Sequence, residues 1–171
     1  IPVSSLDSSK SDYEWAQDIR ERTFEKAEQH MVKDAFKEVF KKSGFKEKDI
    51  DLMIGGDLLN QIVATNYASA SLGIPLIGIY SACSTSVLGL IIGSNMIDKE
   101  QIRNCLISTS SHNNGAEKQF RQPVEYGGPK RKTTTFTTTG AASFLLSRKK
   151  SRIKVESATI GSVVDLGVND C

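Results

Sequence analysis

Gly78-Ile79-Tyr80-Ser81-Ala82-Cys83-Ser84-Thr85-Ser86, running into the apolar stretch Val87 to Met96, is where the fold can be read. It has the pattern of a buried strand, a tight turn carrying one cysteine, and a buried helix. A turn of this kind puts a thiol at a helix N-terminus. There, backbone N–H groups and the helix dipole favour a thiolate or a bound anion. Val87 to Met96 is apolar nearly all round, as expected of a helix enclosed between layers. Gly89 and Gly93 sit four apart on one of its faces and permit close packing.

Working back from this stretch, Leu76 to Tyr80 is the strand that leads to Cys83, restarted in extended form by Ile74-Pro75. Ile62 to Leu72 is a helix rich in Ala and Ser that Gly73 ends. Asp51 to Gly56 is a short buried strand closing on two glycines. Asp57-Leu58-Leu59-Asn60-Gln61 follows at its C-terminal end, where α/β folds place ligands. From about Tyr13 to Lys42 the pattern is helical. Ser11-Asp12 supplies N-cap chemistry, Ala27, Met31, Ala35 and Val39 form a stripe that Phe36 and Phe40 widen, and Gly44 supplies the left-handed cap. Ile1 to Ser11 is a polar lead-in.

Working forward, Asn104 to Ser110 is another strand, and it delivers Ser111-His112-Asn113-Asn114 at its end. Glu117 to Lys132, with Pro123 and Gly127-Gly128-Pro129, reads as a surface excursion or lid. Thr133 to Ala142 is β-prone, Ser143 to Ser147 continues as a strand, and Ile153 to Ile160 is expected to pair with it as a hairpin across the basic turn Arg148 to Arg152. Gly161 to Cys171 trails away polar, and Asn169-Asp170-Cys171 reads as cut rather than finished. Helices alternating with strands imply an α/β sandwich with a mostly parallel sheet.

Composition limits the function classes. With 171 residues, 39% apolar and 25% charged, the chain suits a sizeable globular core and neither disorder nor a membrane span. A net charge of +2 gives no argument for nucleic acid. Cys83, Cys105 and Cys171 have neither disulfide nor zinc spacing, which favours a reducing interior. No apolar run reaches the length of a spanning helix. The chain is therefore not expected to be integral to a membrane, though it can sit on one through a partner.

Four residues are candidates for chemistry. Cys83 is either a small hydrophobe or, in its strand–turn–helix setting, an anion-pocket wall or nucleophile; a nucleophile also needs a base and an oxyanion hole. Asp57 is either a helix cap or a pocket carboxylate. His112 is either a satisfied structural group or a pocket residue on the ligand edge of the sheet. Asn60 either bonds in the pocket or caps the next helix. His30 reads as a surface residue. Lys130-Arg131-Lys132 reads as a solvated turn or as an attractor of dianions and anionic membranes, and Thr133 to Thr139 as simple β-propensity or a hydroxyl-lined wall.

The strand, the cysteine at a sharp turn, the buried helix and the weakened glycine-rich strand Thr139-Gly140-Ala141-Ala142 together resemble the N-terminal half of the thiolase-like superfamily. Cys83 matches the position of its nucleophile. Within that superfamily the chain is most similar to the stage V sporulation protein AD family of endospore-forming bacteria. The similarity is carried by Gly56-Asp57-Leu58-Leu59-Asn60-Gln61, Ala82-Cys83-Ser84-Thr85-Ser86, Thr109-Ser110-Ser111-His112-Asn113, Gln119-Phe120-Arg121, Glu125-Tyr126-Gly127-Gly128, Ser157-Ala158-Thr159-Ile160-Gly161 and Asp165-Leu166-Gly167.

The resemblance implies a layered sandwich with a mostly parallel mixed sheet and helices on its faces. Residues 1–171 would be a partial N-terminal domain, one half of a two-fold repeat, with 1–11 a loose lead-in and 12–171 the core. It implies binding rather than catalysis, since the superfamily's catalytic histidine and asparagine come largely from the other half. The implied ligand is dipicolinic acid (pyridine-2,6-dicarboxylate), held by Asp57, Cys83 and His112 for uptake into the developing spore. A carboxylate facing a dicarboxylate requires protonation or a bridging cation, for which calcium is the candidate. No resident cofactor or metal is implied. The implied partners are membrane proteins of the same sporulation operon and a second copy in a homodimer, on the cytoplasmic side at the spore inner membrane. The alternatives are an acyltransferase using Cys83 and a structural scaffold of a membrane channel complex.

Overall fold

The structure, a computed structural model, describes residues 21–120 and 137–167. Its elements in chain order are α1 (Phe24–Ser43), β1 (Leu52–Gly56), α2 (Val63–Ala70), β2 (Leu76–Gly78), α3 (Thr85–Asp98), β3 (Asn104–Ser111), α4 (Asn113–Phe120) and β4 (Gly140–Ser147), with short 3-10 turns at Glu47–Asp49, Asn60–Ile62 and Ala82–Ser84. The strands form one sheet in the order β2-β1-β3-β4. β1 runs parallel to β2 and β3, and β4 runs antiparallel to β3. The expected α/β architecture with a mostly parallel sheet is what forms.

Strand alternation distributes the core onto two faces. Met53 of β1 and Leu106 of β3 pack with Val32 and Phe36 of α1 and Ala68 of α2. Leu52 and Ile54 of β1 and Cys105 and Ile107 of β3 pack with Ile97 of α3. The sheet therefore separates α1 and α2 from α3. At its N-terminal edge, the Asp51 carboxylate accepts from the Arg103 and Asn104 amides at 2.8 and 3.0 Å, and these two bonds hold its pKa below the usual carboxylate range.

α1 starts at Phe24, where the Thr23 hydroxyl accepts from the Lys26 amide at 3.2 Å, and it ends on Gly44 in the left-handed region at φ 73°. The expected N-cap at Ser11-Asp12 and the lead-in at 1–11 lie outside the described residues, as do the Lys130-Arg131-Lys132 cluster, Thr133 to Phe136 and most of the expected lid.

Two expectations need correction. α3 is not enclosed all round. Its buried residues are Thr85, Gly89, Gly93 and Ile97, one row at four-residue spacing, while Val87 is 55% exposed. Lacking side chains, Gly89 and Gly93 bring this row down onto the sheet: a Cβ on Gly89 would lie 2.8 Å from Ile107 Cγ2, and one on Gly93 would lie 3.3 Å from Cys105 Sγ. No described element covers the opposite side. The expected hairpin is also replaced. β4 pairs with β3 along eight residues, from Asn104↔Ser147 to Ser111↔Gly140, while Ile153 to Ile160 is exposed and joins no strand. β-propensity marks both segments as extended but does not choose the partner. The unfilled edge of β3 takes the segment that matches its full length.

Candidate functional site

Cys83 lies in the 3-10 turn Ala82–Ser84 immediately before α3, and its thiol is exposed. The turn is held by its own hydroxyls. Thr85 Oγ1 accepts from the Ser81 amide at 3.1 Å and donates to the Ala82 carbonyl at 2.8 Å. Ser84 Oγ donates to the Ser81 carbonyl at 2.8 Å, which leaves the Ser81 hydroxyl to donate to Ser84 Oγ at 2.6 Å. Ala82 takes a φ of 43°, a left-handed conformation unfavourable for a residue with a Cβ. No side chain caps the start of α3. The Thr85 amide donates instead to the Ala82 carbonyl, and the positive end of the helix dipole lies beside the thiol and the two serine hydroxyls, an arrangement that can receive a negatively charged group.

Asp57 is only 2% exposed and is already engaged. Its two oxygens accept from the Leu59 amide at 2.9 Å and the Thr65 amide at 2.7 Å, so it closes the turn after β1 and caps α2. Asn60 donates its backbone amide to the Gln119 side chain at 2.6 Å, tying this turn to α4. Gln61 and Ile62 then pass through the left-handed region at φ 61° and 46°.

His112 is buried at the end of β3, stacked on Phe24 with ring centroids 5.1 Å apart. Burial pulls its pKa down, partly opposed by Glu25. His30 is on the surface of α1, with Nδ1 3.3 Å from Glu21.

The three residues expected to share one pocket all follow strand ends and pack against different helices. Asp57 caps α2 and His112 stacks on α1, whereas Cys83 stands in the turn before α3. The end of β1 approaches the start of α3 at Gly56, where a Cβ would lie 3.1 Å from Thr85 Cγ2.

A residue the sequence reading passed over is Glu28. Its side chain is fully buried, with Oε1 accepting from Ser110 Oγ at 2.8 Å. Desolvation pushes its pKa up to about 8; Asp57 and Glu25 add to the rise, and bonds from Ser110 and the His112 backbone oppose it. The signal was present in the sequence: Phe24, Glu28, Val32 and Phe36 form a four-residue row in which Glu28 is the one polar member.

The model of the family described as Stage V sporulation protein AD matches residues 5–171. The chain belongs to the stage V sporulation protein AD family. It is 41% identical over 150 residues to Stage V sporulation protein AD of Bacillus subtilis (strain 168), a match covering 88% of this chain and 44% of that protein. The chain therefore spans under half the length of this family member. Among solved structures it is similar to 3-oxoacyl-[acyl-carrier-protein] synthase III of Aquifex aeolicus VF5, with a TM-score of 0.57 and 21% identity over 72% of this chain and 39% of the other. The tetronic acid condensing enzyme AbyA1 gives a TM-score of 0.54 at 14% identity, covering 71% of this chain and 38% of the other. OleA of Xanthomonas campestris with bound lauric acid and lauroyl-CoA gives 0.54 at 16%, covering 71% and 40%. These likenesses establish a thiolase-like fold. In this member of the stage V sporulation protein AD family, the Gly56 to Gln61 block forms the end of β1 and the turn into α2. The Ala82 to Ser86 block forms the cysteine turn and the start of α3.

Proposed function

We propose that this chain is the cysteine-bearing part of a non-catalytic protein that binds dipicolinic acid for its uptake into the developing spore. The observation that carries the reading is the position of Cys83: exposed, in front of an uncapped helix, with Ser81 and Ser84 beside it, while His112 and His30 lie elsewhere. A dicarboxylate needs hydrogen-bond donors and positive potential, which the start of α3 supplies; it needs no base. Asp57, which caps α2, and His112, which stacks on Phe24, complete the proposed ligand-binding set. Among the described residues no group of three or more His, Cys, Asp or Glu could hold a metal ion. In this reading calcium enters as a cation carried with the ligand.

Membrane proteins of the same sporulation operon are the proposed partners. No described helix is long and apolar enough to cross a membrane; the proposed place is the cytoplasmic side, peripheral at the spore inner membrane. The proposed homodimer forms through this half, where β2 is an edge strand with Ile77 37% exposed.

Isothermal titration of the full-length protein with dipicolinic acid, with and without calcium, tests the reading. Saturable heat that weakens in Cys83→Trp supports it. Absence of heat on intact protein favours a structural scaffold instead.

One observation favours acyl transfer as a second reading. The strained Ala82 turn presents an exposed thiol at a helix N-terminus, in a fold shared with 3-oxoacyl synthases. In that reaction the Cys83 thiolate attacks a thioester carbonyl, and the carrier leaves as a thiolate with the pair of electrons from the broken C–S bond. Stoichiometric, Cys83-dependent labelling of full-length protein by an acyl-CoA would establish it and overturn the binding reading.

A further inference from the structure

Glu28 and His112 form a second polar centre, on the face of the sheet away from Cys83. Both are essentially removed from solvent, at 0% and 1% exposure. Each keeps one buried atom without a hydrogen-bond partner, Oε2 of Glu28 and Nδ1 of His112. Ser110 near the end of β3 and His112 just past it are both turned to the α1 side, where Ser110 Oγ donates to Glu28 Oε1 at 2.8 Å and His112 stacks on Phe24. Phe24, one turn before Glu28, fixes the His112 ring by stacking. An unpartnered carboxylate oxygen and an unpartnered imidazole nitrogen are each costly to bury, and their chemistry is complementary. A neutral carboxylic acid has one O–H to donate, and a neutral imidazole with its proton on Nε2 has an acceptor at Nδ1.

We propose that one buried water bridges Glu28 Oε2 and His112 Nδ1, the Glu28 O–H donating to the water and the water donating to Nδ1, and that this pair locks the start of α1 onto the end of β3 in a pH-dependent way. The remaining groups around it favour keeping the proton. Glu25 on α1 and Asp57 beyond β1 are both acidic and disfavour a charge on Glu28. The packed elements α2 and β4 contribute no carboxylate, histidine, lysine or arginine. Glu117 of α4 is engaged with the Thr137 amide at 3.2 Å. Loss of the Glu28 proton leaves a buried carboxylate facing two acidic neighbours. The relief available is to swing α1's first turn outward into water, breaking the Phe24–His112 stack and loosening the turn that Asp57 closes. The centre thus acts as a proton-controlled latch, independent of any ligand at Cys83.

The test uses full-length protein with ¹⁵N-labelled histidine. Long-range ¹H–¹⁵N spectra should show an unprotonated Nδ1 on His112 at neutral pH, with its shift moving as the Glu28 carboxyl titrates under alkaline conditions. A protonated Nδ1, or a ring shift flat through that titration, overturns the proposal without any mutation. A double-mutant cycle of Glu28→Gln and His112→Phe gives a second readout. The stability coupling between the two positions should be present at pH 6.5 and lost at pH 9.5, and coupling that is absent or equal at both pH values overturns it.

Discussion

Oδ2 of Asp57 accepts a hydrogen bond from the Thr65 amide at 2.7 Å, so a residue at the end of β1 caps a helix eight positions further on. Oδ1 holds the Leu59 amide in the same way. Asp57→Ala leaves two backbone donors without acceptors. The expected loss is about 2 kcal/mol of stability, read from urea unfolding, with Asp57→Asn losing less because one side-chain oxygen remains. Equal losses in the two variants would argue against the capping role.

Gly56 is set by close approach of backbone. A Cβ there would fall 1.9 Å from the Ile79 carbonyl oxygen, which cannot move aside as a side chain can. Gly56→Ala should destabilise by about 3 kcal/mol or more, detected as a large fall in the denaturation midpoint. Gly161→Ala, with nothing within 4 Å, should leave it unchanged.

Glu28 makes stability depend on pH with a defined sign. Its pKa is raised from 4.5 to about 8 in the folded protein, so the folded state binds the proton more tightly than the unfolded state. The associated stability is fully present below the unfolded value and is lost as pH rises through the folded one. Between acid and neutral pH this amounts to about 3 kcal/mol. Glu28→Gln keeps the shape and the capacity to donate, and should flatten the slope of stability from pH 4.5 to 8 in pH-resolved unfolding. A slope identical to wild type would remove Glu28 as its source.

The cysteines should react unequally. Cys83 is exposed, whereas Cys105 is wholly buried and its thiol is pushed up to about 12 by burial. Peptide mapping after brief iodoacetamide treatment of the native chain should find Cys83 modified and Cys105 modified only after unfolding. Early labelling of Cys105 would show that the α3 face of the sheet opens readily.

Ala82 is the cheapest site of strain to relieve. At φ 43°, Ala82→Gly should stabilise the folded chain by up to about 1 kcal/mol, seen as a higher melting temperature. If the strain holds the thiol in place, the same variant should also slow Cys83 alkylation.

Legibility in the sequence followed the range of the interactions involved. α1's cap at Gly44, the strand of β1 and the cysteine turn rest on local patterns, and each was readable from a few adjacent residues. The partner of β4 and the burial of α3 were not, because both depend on which distant edge or face is free. Ile153 and Val155 have the pattern of a strand but no described strand beside them. Glu28 marked itself by interrupting the row from Phe24 to Phe36, yet its partner Ser110 is 82 positions away.

By itself, the sequence determined the element order from α1 to β3, the mostly parallel character of the sheet and the family, because these follow from periodicity, turn chemistry and the residue blocks at Gly56, Cys83 and His112; it missed α4, which takes up the start of the expected lid. Tertiary structure alone decided which of those blocks face each other. Side chains alternate across a sheet, so residues at the same edge can stand on opposite faces. That parity turns Asp57 toward α2 and His112 toward α1, while Cys83 stands at the start of α3.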